Sequence, residues 1–471
     1  MRHIPILRGG EPYTSVETTT LVHHATSEIV AEVSQANSGM VRRDILHMDD
    51  RVLERFSVRE LMAMSRKAAD LFVHADLPLG DGVQSFDDYI AELSATTGMP
   101  VGYCRRNAEK IRKVLDEIEP IVRGLTRGFD LAILDTGYGT HAGGTLSFFR
   151  EGRRFGAVLP SNSPGVHSLW IPAIVLKAPV VLKPGREEPW TPMRIIQAFL
   201  AAGCPPAAFG FYPTSHEGAG AILELCGRAC LFGDESTTAP YVGRTAVNVH
   251  GPGRSKVVLG ADVVDDWRAH LDVLVGSVVD NGGRSCINAS SIFVPRHADA
   301  IADALAAELG AIRPTASDDP AARLSAIANP KYAEFVDATI ERGLAGGGAT
   351  DVTAAHRAGP RHVERDGSHF LLPTVVRCDS VEHALARTEF MFPFVSVVEV
   401  PPERLVADLG PSLVVTAITR APELVDALLG STDVDRVNLG PVRTSHVEWD
   451  QPHEGNLFEF LWKRRPLERG W

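Results

Sequence analysis

Cysteine is scarce in this chain: Cys104, Cys204, Cys226, Cys230, Cys286 and Cys378 are spread over 471 residues. That is no disulfide framework, and in a reducing compartment all six are expected as thiols. Basic charge is also short, since 47 Lys and Arg against 59 Asp and Glu give a formal net charge of −12. Nucleic acid and anionic membrane surfaces are therefore poor main partners. No apolar run approaches the ~18 residues of a membrane span, and the opening MRHIPILRGGEPYTSVETTT has no signal-peptide apolar core. The expectation is a cytoplasmic protein with no membrane partner. Internal repeats are absent too. Cys226 and Cys230 stand four apart on a helical stretch, but no further Cys or His motif follows them. Packing, not a metal site, is the better reading of that pair, and no metal is expected.

What is present is length and order. A chain of 471 residues exceeds the ~250–300 that one hydrophobic core supports, so two or three domains are expected. Residues 51–128 place apolar residues at three- and four-residue intervals between charges, the pattern of amphipathic helices. From Arg154 short apolar runs alternate with helical ones. The runs RFGAVLP, PVVLK, AFGFYP and ACLFG read as strands, and VHSLWIPAIVL, TPMRIIQAFLAAG and EGAGAILELCG as the helices between them. This α/β alternation predicts a parallel sheet covered on both faces, with ligands at the carboxyl ends of its strands. A second α/β unit begins near Ser255 with KVVLG, DVVDDWRAHLDVLVGSVV, SSIFVP and ADAIADALAAELGAI. The Gly-rich stretch TGYGTHAGGTLSFFREGRR reads as a hairpin, GLAGGGATDVTAAHRAG as a mobile loop, and an irregular tail begins near 433.

Cys286 stands just after Asn-Gly-Gly and before the β-branched run SSIFV, so a tight turn delivers a thiol to the cleft between the two units. An unpaired cysteine alone is more often a small buried hydrophobe. Here its neighbours matter. Asn281, Gly283, Arg284 and Cys286 meet the pattern Asn-x-Gly-(Gln/Arg)-x-Cys, and five further segments match in order, GAVLPSNSP, VVLKPGREEPWTP and LAAGCPPAAFGFYP upstream of it and FLLPTVV and TEFMFPFVSVV downstream. On these motifs, covering residues ~154–400, the chain resembles the aldehyde dehydrogenase superfamily. The resemblance implies two α/β domains with a small oligomerisation hairpin and tail. Its Rossmann-like NAD(P)-binding domain would comprise 1–130 and 151–248, and its catalytic domain 249–432. Residues 131–150 and 433–471 would be the oligomerisation elements of a homodimer or homotetramer.

The same resemblance implies a nucleophilic thiol at Cys286 and an oxyanion donor in the Asn162 amide, assisted by the Cys286 backbone N–H. Attack on an aldehyde and loss of hydride to nicotinamide would leave a thioester on Cys286; in reverse, the site would reduce an acyl thioester. No Gly-x-Gly-x-x-Gly follows the first strand. Cofactor contacts are instead implied at Pro160, Lys183, Arg186, Gly233 and Phe392. Arg186 stands where the family commonly has a ribose-binding Glu. It would suit the 2′-phosphate of NADP, or else be an exposed arginine paired with Glu187 or Glu188. NAD and NADP both remain open. Asp234, where the family has Ser, reads better as a helix N-cap than as a diphosphate contact. The motif match places Phe390 at the family's second Glu, the one on the nicotinamide ribose, with Glu389 one residue earlier. Trp170 and Phe394 hint at an apolar substrate pocket.

Hydrolytic members of the family activate water with a Glu from a Leu-Glu-Leu-Gly-Gly strand. In VNVHGPGRSKVVLGADVVDDW that place falls to His250, or second to Asn248, and no Glu is available. His250 would activate water or simply sit in the turn before Gly251-Pro252-Gly253. That Gly-Pro-Gly is similar to a segment of coenzyme A-acylating members and of acyl-CoA reductases, which also lack the Glu. Coenzyme A is therefore the expected acyl acceptor and co-substrate, with water, or a catalytically degenerate relative, as the alternatives. His446, Glu448, Asp450, His453 and Glu454 crowd the tail. Their spacing favours a tail packed over the cleft or on another subunit.

Overall fold

Two largely parallel sheets, each carrying helices, organise the computed structural model, which describes residues 2–468 and 470. Among the described residues the first sheet has seven strands in the order Val247–His250, Gly227–Phe232, Arg154–Val158, Val180–Lys183, Phe209–Phe211, Ile6–Arg8, Glu11–Tyr13. The first five run parallel; the last two join antiparallel at one edge. The second sheet, also of seven strands, runs Ala349–Asp351, Thr374–Cys378, Phe394–Glu399, Ala289–Val294, Ser255–Leu259, Ser412–Ile418, Val434–Leu439. Its three strands Ala289–Val294, Ser255–Leu259 and Ser412–Ile418 are buried along their whole length. Runs covered on both faces must be apolar or fully hydrogen-bonded throughout, which is why they read as unbroken β-branched stretches. The expected pair of α/β units is the architecture found.

The helical layer before the first unit follows from local signals. Ser57 caps Val58–His74 in a reciprocal box with Glu60, and Val58, Leu61, Met62, Ser65, Ala68, Ala69 and Phe72 form its buried stripe. Helix Val101–Asp116 packs on the segment Pro164–Leu169 and brings Asn107 to the cleft.

Several expectations need correction. The first 34 residues hold strands that the sequence reading did not assign: Arg2–Ile4, Ile29–Ser34 and Thr18–Val22 form a three-stranded sheet, and Ile6–Arg8 reaches the first large one. Such strands are too short to show a period. The boundary at 248 falls inside Val247–His250, which pairs with Gly227–Phe232, so the first sheet continues to His250. Val434–Leu439 pairs with Ser412–Ile418 and belongs to the second sheet, not the tail. The loop expected to be mobile contains the edge strand Ala349–Asp351, anchored where Asp351 pairs with Arg357 and Arg361. The hairpin is present as Tyr138–His141 and Gly144–Arg150, and Trp462–Arg465 adds a third strand to it. Among the described residues no helix is long and apolar enough to cross a membrane.

Candidate active site

The turn that carries Cys286 is built from backbone that glycine permits. Helix Leu271–Val279 gives way to Asp280–Gly283, in which Asn281, Gly282 and Gly283 have φ of 55°, 68° and 68°. This left-handed region is open to glycine and tolerated by asparagine. A Cβ on Gly283 would also lie 2.4 Å from the Pro393 nitrogen. Side chains then fasten the turn to the first unit. Asn107 Nδ2 donates to Asn281 Oδ1 at 2.7 Å, and Asn281 Nδ2 donates to Ser163 Oγ at 3.0 Å. The Arg284 guanidinium donates to the carbonyls of Thr97 at 2.6 Å and Ser161 at 3.3 Å. A bound arginine placed between two units in this way fixes the thiol at their junction.

Cys286 and Asn162 face one cavity of about 180 Å³. Asn162 Nδ2 donates to the Arg284 carbonyl at 2.8 Å and to the Met391 sulfur at 3.8 Å, which fixes the amide beside the thiol. Asn162 Oδ1 is buried without a hydrogen-bond partner. The walls combine apolar Val166, Leu169, Phe232 and Trp449 with Lys110, Lys113, His453 and Glu454. Trp170 and Phe394 are not among them: both side chains are core, 0% and 3% exposed. Burial first, then the charges of Glu454 and Glu389, push the Cys286 thiol well above its ordinary range, while the amides of Cys286 and Ile287 draw it down. Cys104, Cys204, Cys226 and Cys378 are pushed up to about 12 by burial and face no such set of groups.

Glu389, which the motif match passed over, lies close enough for its charge to act on the Cys286 thiol. Its carboxylate accepts from the amides of Arg254 at 2.7 Å and Gly253 at 3.3 Å. Burial raises it to about 7 against the pull of those amides and of Arg254 and Lys256. Phe390 and Phe392, by contrast, turn into the core of the second unit with Phe394, so neither is placed at the cavity wall. Counted back from Pro393, Glu389 has the place of Glu in Glu-(Ile/Val)-Phe-Gly-Pro-Val and Met391 that of Phe. The proline was the register signal.

His250 does not line the Cys286 cavity. Its ring is 6% exposed, stacks on Phe232 at 4.3 Å, and sits behind the cavity wall. Its Nδ1 is bonded to the Glu454 carboxylate, and Glu454 itself reaches the cavity. Burial pushes Glu454 up, but attraction to and the hydrogen bond from His250, with His453 adding, hold it below the usual carboxylate range. The tail therefore packs over the cleft. Ser445 bonds Asp280 at 2.7 Å at one end, and Asn456 bonds the Leu125 carbonyl at 2.9 Å at the other. Gly251-Pro252-Gly253 also has a packing cause, because a Cβ on Gly253 would stand 2.1 Å from the Cys286 carbonyl oxygen.

The cofactor candidates gather at the carboxyl ends of the first sheet. Lys183 closes its strand and Pro160 follows the neighbouring one. A Cβ on Gly185 would lie 2.4 Å from the Pro160 carbonyl oxygen, so the two loops meet through bare backbone. Burial lowers Lys183, Glu187 draws it up and Arg186 opposes that. Glu188 is turned inward to His167 at 2.9 Å and the Thr191 amide at 2.8 Å, and among the described residues no carboxylate lies within ion-pair distance of Arg186. Two cations with so little compensation fit an anionic ligand such as a nucleotide phosphate. Gly233 follows the strand Gly227–Phe232, and the next residue, Asp234, accepts from the Thr237 amide at 2.8 Å. Asp234 is thus an N-cap with its charge turned into the helix.

A model of the aldehyde dehydrogenase family matches residues 154–404. A putative aldehyde dehydrogenase of Staphylococcus aureus is 24% identical over 401 residues, 82% of this chain and 78% of that protein. An aminoacetaldehyde dehydrogenase of Pseudomonas aeruginosa is 28% identical over 260 residues, 51% of this chain and 49% of that one. Among solved structures, the NAD+ complex of an aldehyde dehydrogenase from Bacillus cereus has a TM-score of 0.79 at 16% identity, over 98% of this chain and 96% of that chain. An NADP dependent enzyme of E. coli has a TM-score of 0.78 at 16% identity, over 98% and 97%.

Proposed function

We propose, for a chain that belongs to the aldehyde dehydrogenase family and is an NAD(P)-dependent aldehyde dehydrogenase, that Cys286 is its nucleophile and forms an acyl thioester. The observation that carries this reading is the shared cavity of Cys286 and Asn162 at the junction of the two units. The Cys286 thiolate adds to the aldehyde carbon, and the developing oxyanion displaces the weak Met391 sulfur contact of the Asn162 amide and meets that amide together with the amides of Cys286 and Ile287. When bound, the nicotinamide supplies the hydride acceptor, and Cys286 is left acylated. Lys183 and Arg186 hold the adenosine end, with Arg186 favouring the 2′-phosphate of NADP.

Coenzyme A as acceptor drew on two grounds, a Gly-Pro-Gly segment and the lack of an acid. Both are weaker, since Gly253 makes room for the Cys286 carbonyl and Glu454 brings a carboxylate to the cavity. Incubation of the protein with an aldehyde and NAD(P) should yield reduced nicotinamide, and Cys286→Ala should abolish it while keeping cofactor-induced thermal stabilisation. Full activity in Cys286→Ala would sink the reading. Product analysis with and without coenzyme A separates acid from acyl thioester. The hairpin sheet that takes in Trp462–Arg465 is the assembly surface of a homodimer or homotetramer, which light scattering tests.

A further inference from the structure

Two carboxylates act on the Cys286 thiol, and they are committed differently. Both oxygens of Glu389 accept backbone amides. Glu454 gives Oε2 to His250 and lines the cavity. Its position is over-determined: Glu454 has φ of 52°, Gly455 follows at 101°, and Asn248 Nδ2 grips the Glu454 carbonyl at 2.8 Å. Non-glycine residues are uncommon in that region, and such strain concentrates at functional sites. Asn248 Nδ2, which can only donate, stands 3.3 Å from His250 Nε2. Asn248 thus holds the Nε2 side of the ring while Nδ1 is bonded to the Glu454 carboxylate.

We infer that Glu454, oriented by His250, is the base that activates water to release the acyl group from Cys286, making the product a carboxylic acid. This rests on the reading of Cys286 as the acylated nucleophile. Glu454 takes a proton from water as the water oxygen bonds to the acyl carbon. The tetrahedral adduct then breaks its C–S bond, and the proton passes to the departing sulfur, giving free acid and thiol with no change of oxidation state. The family's strand-borne Glu is thus replaced by one carried on the segment that crosses the cleft. Groups facing Glu454 are His250 and Asn248 on the edge strand, Cys230 on the next, Asp435 on the second sheet, His453 on its own segment, Cys286, and Lys110 and Lys113 on the cavity wall.

p-Nitrophenyl acetate tests this without aldehyde or cofactor, because it acylates the thiol directly. Wild type should give a stoichiometric burst of p-nitrophenolate and then steady turnover. Glu454→Gln should keep the burst and slow the steady phase by ~10²–10³-fold, with acetyl-Cys286 accumulating in the intact mass. Added β-mercaptoethanol should restore its turnover, since a thiol ionises without help. His250→Gln should move the low-pH limb of the steady phase to higher pH, because Glu454 loses the bond that holds it low. A steady rate in Glu454→Gln within about twofold of wild type, an unmoved limb in His250→Gln, or loss of burst and thiol rescue together would overturn the inference. Ester turnover with no nicotinamide reduction by acetaldehyde, hexanal or benzaldehyde would instead overturn the redox reading and leave Glu454 standing.

Discussion

A single methyl group added at Gly253 should displace Cys286, the proposed nucleophile. The new Cβ would lie 2.1 Å from the Cys286 carbonyl oxygen, 2.8 Å from its carbonyl carbon and 3.0 Å from its Cβ. Carbon and oxygen come to rest at about 3.3 Å, so one backbone must retreat by about 1 Å. The Gly253 side is pinned: its carbonyl accepts from the Leu413 amide at 2.7 Å and its own amide donates to Glu389 at 3.3 Å. The Cys286 turn therefore moves. Overpacking of this kind costs about 1–3 kcal/mol, and a 1 Å displacement of a reacting group costs ~10²-fold in rate. Gly251 is the internal control, because its added Cβ would meet only Thr238 Oγ1 at an ordinary 3.6 Å. Gly253→Ala and Gly251→Ala should be compared by thermal denaturation and by stopped-flow burst of reduced nicotinamide. The expected result is a burst slowed ~100-fold in Gly253→Ala and wild-type behaviour in Gly251→Ala. Equal burst rates and melting in the two variants would refute the packing argument and return the segment to a ligand-contact role.

Two other outcomes follow from the same geometry. Glu389 has a folded pKa of about 7, above its ordinary 4.5, so its contribution to stability is complete below the unfolded value and is lost as pH rises through about 7. Glu389→Gln removes that dependence. Its stability relative to wild type should shift in the variant's favour by up to about 3 kcal/mol between about pH 5 and about pH 8, read by denaturant melts at both values; a constant difference would refute the assignment. Arg186→Ala should weaken NADP by ~10–100-fold, as loss of a charge-assisted bond implies, and leave NAD unchanged in titration calorimetry. Equal loss for both cofactors would remove the 2′-phosphate contact.

How far the chain could be read without coordinates depended on the range of the physics involved. Strands such as Val180–Lys183 and Ala289–Val294 announce themselves because burial on both faces demands a local apolar run. Ile6–Arg8, one place in from the edge of the first sheet, and Ala349–Asp351, at the edge of the second, have three residues each, too few to show a period, and were not legible. Glu389 lay within reach, yet the phenylalanines at 390, 392 and 394 offer competing registers in a Phe-rich run, and the match slipped. Only the fixed position of Pro393 breaks that ambiguity.

Sequence by itself determined the turn that carries Cys286, the proposed nucleophile, because Asn281, Gly282 and Gly283 encode a left-handed backbone locally and Cys286 follows three residues later. It also determined the alternating units whose strand ends collect Pro160, Lys183 and Gly233. Tertiary structure alone decided which acid faces the thiol. Glu454 belongs to a segment without periodicity, and its direction is set by Asn248 on one sheet, by Leu125 through Asn456, and by its own bond to His250. No short-range pattern encodes contacts between residues so distant along the chain. They exist only once the tail has crossed the cleft and its polar groups have found partners there.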